Sequence, residues 1–252
     1  MKIITIVQAK GGSGKTTLAM AIASGAISKG FKIHLMDGDR NPQLSEWPAR
    51  VKEADWEGIE KPDWPLSATL SIVPATLEEL YEKLNALEHA GTDLVIIDTR
   101  PGTHSDTEDL IFAADLALIP ARPTQMEIPL IRDAFVWINK LRDTISKDDP
   151  FPTVRIVVSD APKSVIDASQ NKGTDRLSKK DYDVLVKLIQ IPHLSTILPN
   201  SKVWSHISYY GPLSAAQGAY QKAKSALIAK SLSKQLGIAE VLADEIMEGD
   251  TT

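Results

Sequence analysis

The sequence predicts an α/β fold: one doubly wound, mainly parallel sheet with helices on both faces, as a single domain over residues 1–252. Three observations predict it. Short apolar runs alternate with segments of helical spacing along the whole chain. A glycine-rich turn joins the first such run to the first helical segment, and a later apolar run ends abruptly in aspartate. A chain of 252 residues is also long enough to bury a sizeable core.

Taken in order, Ile3 to Val7 reads as the first strand, and the stretch Lys10-Gly11-Gly12-Ser13-Gly14-Lys15-Thr16-Thr17 follows it directly. A strand, a glycine turn and a helix start in that order form a phosphate-binding loop. Glycines let successive backbone N–H groups turn inward around an anion, and the helix N-terminus adds its positive end. Lys15 is placed to reach β- and γ-phosphates and the Thr16 hydroxyl to ligate magnesium, so the stretch predicts a nucleoside triphosphate site. Leu18, Ile22 and Ala26 then recur at helical spacing, and Gly30 ends that helix. Phe31 to Met36 reads as a buried strand that leads into Asp37-Gly38-Asp39, and in open α/β sheets ligands gather at such carboxyl ends.

Residues 48 to 68 hold Trp56, Trp64 and three prolines with many charges, which predicts an irregular connection after a short helix, its tryptophans packed rather than free. Thr69 to Val73 reads as a strand. Leu77 to Leu87 reads as a helix opened by Thr76, with Glu79 completing a capping box. Leu94 to Asp98 is an apolar strand ending in an acid able to hold a magnesium-bound water opposite Thr16. Leu116 to Ile119 is a further strand, and Met126 to Arg142 a helix with Ile131, Phe135, Ile138 and Leu141 on one face. Thr153 to Val158 is a strand, Ser159 to Asp175 a polar connection, and Leu177 to Leu188 a helix. Ser195 to Leu198 reads as a short strand before Pro199-Asn200, and Ser214 to Leu236 as one long helix with Ala216, Tyr220, Ala223 and Leu227 facing inward.

The loop departs from the common G-x-x-x-x-G-K-[ST] pattern at Ala9 and carries a second lysine, Lys10, instead. In this K-G-G-x-G-K-T-T form the chain resembles the ParA/MinD family of ATPases with a deviant Walker A loop. The resemblance implies that Lys10 crosses a homodimer interface to the partner's nucleotide. It implies ATP and Mg2+ as cofactors, with Lys10, Lys15 and Asp39 catalytic and Gly11, Gly12, Ser13, Gly14, Thr16, Thr17 and Pro199 also binding nucleotide. Thr16, Asp37 and Asp98 would serve the metal. Asp37 and Asp39 resemble the family's switch I, whose second aspartate orients the attacking water. The spacing from Asp37 to Trp47 and the run Asp98-Thr99-Arg100-Pro101-Gly102 look most like the ParA-type ATPase of T-DNA and conjugal transfer regions. Arg40 and Arg100 are the residues that depart from the commoner ParA pattern.

Composition narrows the classes. The absence of cysteine excludes disulfides, cysteine zinc sites and the iron–sulfur cluster of the related nitrogenase iron protein. No apolar run approaches a membrane span, and a soluble cytoplasmic protein is expected, nucleoid-associated when ATP-bound. The net charge of −5 is uneven: residues 1–121 carry 11 Lys+Arg against 18 Asp+Glu, residues 122–234 carry 17 against 10, and residues 235–252 carry 0 against 5. Arg176, Lys179, Lys180, Lys187, Lys222, Lys230 and Lys234 are therefore candidates for non-specific DNA binding through phosphate contacts. The expected function is an ATP-dependent dimerising switch for plasmid partition, DNA transfer or other cargo, working with a centromere-binding or relaxosome-type adaptor protein. Two alternatives are a membrane-associated switch like MinD, which the acidic tail disfavours, and a metabolic ligase like dethiobiotin synthetase, which Lys10 and the Asp39 pattern disfavour.

Overall fold

The computed structural model describes residues 1–170 and 177–249. The chain runs β1 (Lys2–Ile6), α1 (Lys15–Ser28), β2 (Ile33–Asp37), α2 (Trp47–Glu53), β3 (Ala68–Ile72), α3 (Leu77–His89), β4 (Leu94–Asp98), α4 (Ser105–Phe112) and β5 (Leu116–Ala121). It continues through α5 (Glu127–Arg142), β6 (Thr153–Val158), α6 (Lys163–Ser169), α7 (Lys179–Ile189), α8 (Lys202–Ser205), α9 (Ile207–Tyr210), α10 (Leu213–Lys222) and α11 (Ala226–Glu248). The strands form a six-stranded parallel sheet in the order β3-β2-β4-β1-β5-β6, as the alternation of strand and helix requires. Contacts within the chain gather into two compact units: Met1–Ile3, Thr16–Asp98 and Lys202–Thr252 form the first, Ile4–Lys15 and Thr99–Ser201 the second.

In the first unit, β2 pairs with both β3 and β4, and the register sets Asp37 beside Asp98. Parallel strands buried on both faces read as continuous apolar runs, and all five residues of β2 and of β4 are buried. α1 is apolar on all sides, and Leu18 to Ala26 are buried throughout. α11 lies against it so closely that a Cβ added at Gly25 would stand 2.0 Å from the Ala239 carbonyl oxygen. Leu232, Leu236, Ala239, Leu242, Ala243 and Ile246 form the buried stripe of α11. At the start of α3 the capping box is present as expected, with Thr76 accepting from the Glu79 N–H and the Glu79 side chain accepting from the Thr76 N–H. The tryptophans pack inward: Trp47 meets Trp64 edge to face at 5.2 Å, and Trp56 lies 5.6 Å from Tyr220.

The expected long C-terminal helix is two helices. Lys224 takes the left-handed conformation at φ 59°, its N–H bonding the Gln221 carbonyl while the Ser225 N–H bonds the Tyr220 carbonyl. This pair of bonds is the Schellman close of a helix, built here without glycine. The break leaves Ala223 exposed and Leu227 85% exposed, contrary to their expected inward placement, whereas Ala216 is buried.

In the second unit, β1 pairs with β5 and β5 with β6. Val7, Ile119, Ile131, Ile138, Ile156 and Leu188 lie in one core cluster with Phe135 packed against it. The polar connection after β6 contains the unexpected α6. Ser195 to Leu198 forms no strand; it follows β6 through sparse bonds such as Leu194 N–H to the Ile156 carbonyl (2.9 Å) and Leu198 N–H to the Val158 carbonyl (2.9 Å), with isolated bridges at His193 and Pro199. Pro192 and Pro199, which lack the donor a ladder needs, flank this segment.

Candidate functional site

In the second unit the loop after β1 has the backbone that its glycines permit. Gly12 and Gly14 adopt left-handed φ of 69° and 95°, which a side chain would strain. Lys15 is buried, and its Nζ donates to the Gln8 carbonyl oxygen at 3.3 Å, folding the side chain back along the loop. Ser13 is buried too, and its hydroxyl has no hydrogen-bond partner among the described residues. A buried hydroxyl left without a partner stands ready to bond whatever enters the loop. The Lys10 ammonium pairs with Glu127 Oε1 at 2.8 Å, the lysine side chain 43% exposed and the glutamate side chain 4% exposed. Following β4, Thr99 is tied to the β1 carbonyl of Ile6 at 2.8 Å, and Arg100 pairs with Asp106 at 2.7 Å.

In the first unit Thr16, in the first turn of α1, donates to Asp98 Oδ2 at 2.5 Å. Two hard oxygen donors thus stand together, one of them a carboxylate with only 1% of its surface exposed. Magnesium bound with a nucleotide takes one or two protein oxygens and fills its other positions with phosphate oxygens and water. Asp37 is paired in register with Asp98. Its carboxylate accepts from the backbone N–H groups of Asp39 (3.1 Å), Leu44 (2.7 Å) and Ser45 (2.9 Å), and so fixes the turn that carries Asp39. Asp39 accepts from the Asn41 N–H at 3.1 Å and is half-buried, while Arg40 is exposed. Trp47 anchors the far end of this loop, fully buried, with its indole N–H on the Ile207 carbonyl.

The other expected site residues are more dispersed. Pro199, in the second unit, bridges to Ala161, and the neighbouring Asn200 donates to Asp160 at 2.6 Å, so these residues form a closed turn. Lys179, Lys180 and Lys187 are exposed on α7 of the second unit, with Asp181 and Asp183 among them on the same helix. Lys222, Lys230 and Lys234 are exposed in the first unit, on a stretch from Lys202 to Ala239 that holds no acidic residue. Lys224, which the sequence reading passed over, belongs to the same stretch. Arg176 lies outside the described residues. Glu127 was also missed, since nothing local to a glutamate at a helix start reveals a partner 117 positions away.

A family model described as VirC1 protein matches residues 1–248. The curated virC1 protein of Rhizobium rhizogenes is 26% identical over 179 residues, covering 71% of this chain and 72% of that protein. Among solved structures, the MinD cell division protein of Aquifex aeolicus superposes with a TM-score of 0.62 at 19% identity, covering 97% of this chain and 98% of that one. The septum site-determining protein MinD from Pyrococcus horikoshii, complexed with Mg-ADP, gives a TM-score of 0.55 at 16% identity, covering 96% of this chain and 95% of the other. The two solved MinD structures share the fold of this chain.

Proposed function

The chain belongs to the VirC1 family, and from that premise we propose that it is a slow, Mg2+-dependent ATPase that dimerises in its ATP state and binds DNA non-specifically. In this reading it works in the cytoplasm, on the nucleoid when ATP-bound, and positions DNA-transfer or partition cargo recruited through an adaptor protein. The observation that carries the reading is the loop from Lys10 to Thr17, with a second lysine at Lys10 and with Thr16 bonded to the buried Asp98. The Mg-ADP complex of the Pyrococcus relative supports both the nucleotide and the metal.

The residues divide the work as follows. Backbone N–H groups of Gly11 to Thr17 cradle the phosphates, and the buried Ser13 hydroxyl finds its partner there. Lys15 leaves the Gln8 carbonyl for the β- and γ-phosphates. Thr16 and Asp98 would hold the magnesium ion, which neutralises phosphate charge when bound. Asp39, on a turn fixed by Asp37, orients water for in-line attack on the γ-phosphate. Lys10 reaches the nucleotide of the partner subunit, where two sets of phosphates would otherwise repel in a seam that excludes water. Hydrolysis then resets the binding surface instead of driving chemistry on a second substrate.

The test measures phosphate release with Mg-ATP, with and without DNA, together with DNA retention at low salt. We expect slow turnover that Asp39→Ala abolishes while nucleotide binding survives. DNA retention should require ATP and be lost in a Lys179→Glu/Lys180→Glu variant that still binds nucleotide. Full turnover in Asp39→Ala would refute the role of Asp39, and unchanged retention in the double variant would refute the α7 surface.

A further inference from the structure

We infer that Glu127 is a positioning residue for Lys10, holding it within its own subunit until nucleotide and a second copy of the chain compete for it. The inference rests on the proposed role of Lys10 as the lysine that reaches the partner's nucleotide. Glu127 opens α5, its side chain is 4% exposed, and Oε1 takes the Lys10 ammonium at 2.8 Å. Oε2 is buried without a hydrogen-bond partner among the described residues. A carboxylate so placed needs a cation facing it, since buried charge is expensive unless paired. Lys10 is that cation.

The two partners differ in a way that makes the pair directional. Lys10 is 43% exposed and sits directly before Gly11 and Gly12, so its side chain can turn outward with little rearrangement. Glu127 is fixed by its helix and cannot follow. When Lys10 leaves, the buried carboxylate loses its counter-charge, and this loss opposes departure. Only a stronger anion compensates, and triphosphate oxygens across a dimer seam are such an anion. Glu127 thereby sets how much ATP and how high a protein concentration the dimer requires. Glutamine at this position keeps the shape and one acceptor but not the charge, so it should release Lys10 while leaving the core around Ile128 and Ile131 intact.

The dimer dissociation constant is measured by sedimentation equilibrium of the full chain with magnesium and a slowly hydrolysed ATP analogue, for wild type, Lys10→Ala, Glu127→Gln and the double variant. A hydrogen bond to a charged partner corresponds to about tenfold, so Glu127→Gln should dimerise about tenfold more tightly than wild type. Lys10→Ala should remain monomeric, and the double variant should match it. Glu127→Asp, which keeps the charge but shortens the reach, should fall between wild type and Glu127→Gln. If Lys10→Ala dimerises normally, the role of Lys10 fails and the inference falls with it. If Lys10→Ala stays monomeric but Glu127→Gln dimerises no more tightly than wild type, Glu127 holds nothing back and this inference alone is overturned.

Discussion

Gly25→Ala measures how tightly the first unit is packed. The added Cβ would stand 2.0 Å from the Ala239 carbonyl oxygen, 2.3 Å from its carbon and 2.9 Å from the Glu240 nitrogen, all backbone atoms of α11. Ordinary contact begins near 3.4 Å, so α1 and α11 would have to separate by about 1.4 Å at this point. No rotamer change can absorb that shift. Overpacking of this kind costs about 3 kcal/mol or more, and the better helix propensity of alanine returns only about 1. A net loss of about 2–3 kcal/mol should lower the urea midpoint by about 0.8 M, with a slope of about 3 kcal/mol/M. Gly218 in α10 and Gly237 in α11 supply the control, because a Cβ at either meets nothing within 4 Å. Alanine there should leave the midpoint unchanged or raise it. A Gly25→Ala midpoint equal to or above that of wild type would refute the close approach of α1 and α11.

Two further outcomes test the folded chain. Burial, with a smaller contribution from Lys83, pushes the His34 pKa down to about 4, and its ring nitrogens lie 2.7 Å from the Thr69 hydroxyl and 2.9 Å from that of Ser71. The unfolded chain therefore binds a proton near pH 6.5 that the folded chain refuses until about pH 4, so stability falls by up to about 3 kcal/mol as pH drops through that window. A urea midpoint difference between wild type and His34→Leu that stays constant from pH 7 to 4.5 would contradict this. Lys224→Gly should stabilise by about 1 kcal/mol, since glycine enters the left-handed region without the penalty that lysine carries there. A lower midpoint in that variant would show that the Lys224 side chain contributes packing to the turn.

Where the determinants are local, the sequence was legible. Strand β4 has the bounds read for it, because five apolar residues ending in aspartate need only a neighbour on each side. The box at Thr76 and Glu79 is spelled out within four residues. The glycine turn after β1 was equally plain, since its glycines and lysines are contiguous. What escaped depends on distant partners or on rare backbone choices. The close of α10 uses lysine where glycine is the usual signal. Helix α4 opens with five polar residues that mask its buried Leu110 and Ile111. The three N–H groups that Asp37 accepts come from a loop whose path no periodicity describes. Glu127 needed the fold itself to be found.

The contacts of α11 also govern the order of events during synthesis. Lys2 donates to the Ile246 carbonyl, Ser28 bonds Glu240 at 2.5 Å and Lys29 pairs with Asp244 at 2.8 Å, so the first unit draws on the earliest and the latest parts of the chain. At about 5–20 residues per second, roughly 8–30 s separate the emergence of β4 from that of α11. Throughout that interval the face of α1 around Gly25 has no α11 to cover it. The second unit ends at Ser201 and can complete its contacts earlier. Nascent chains stalled before Leu242 should therefore hold a protease-resistant second unit beside a first unit that still offers its apolar surface to chaperones.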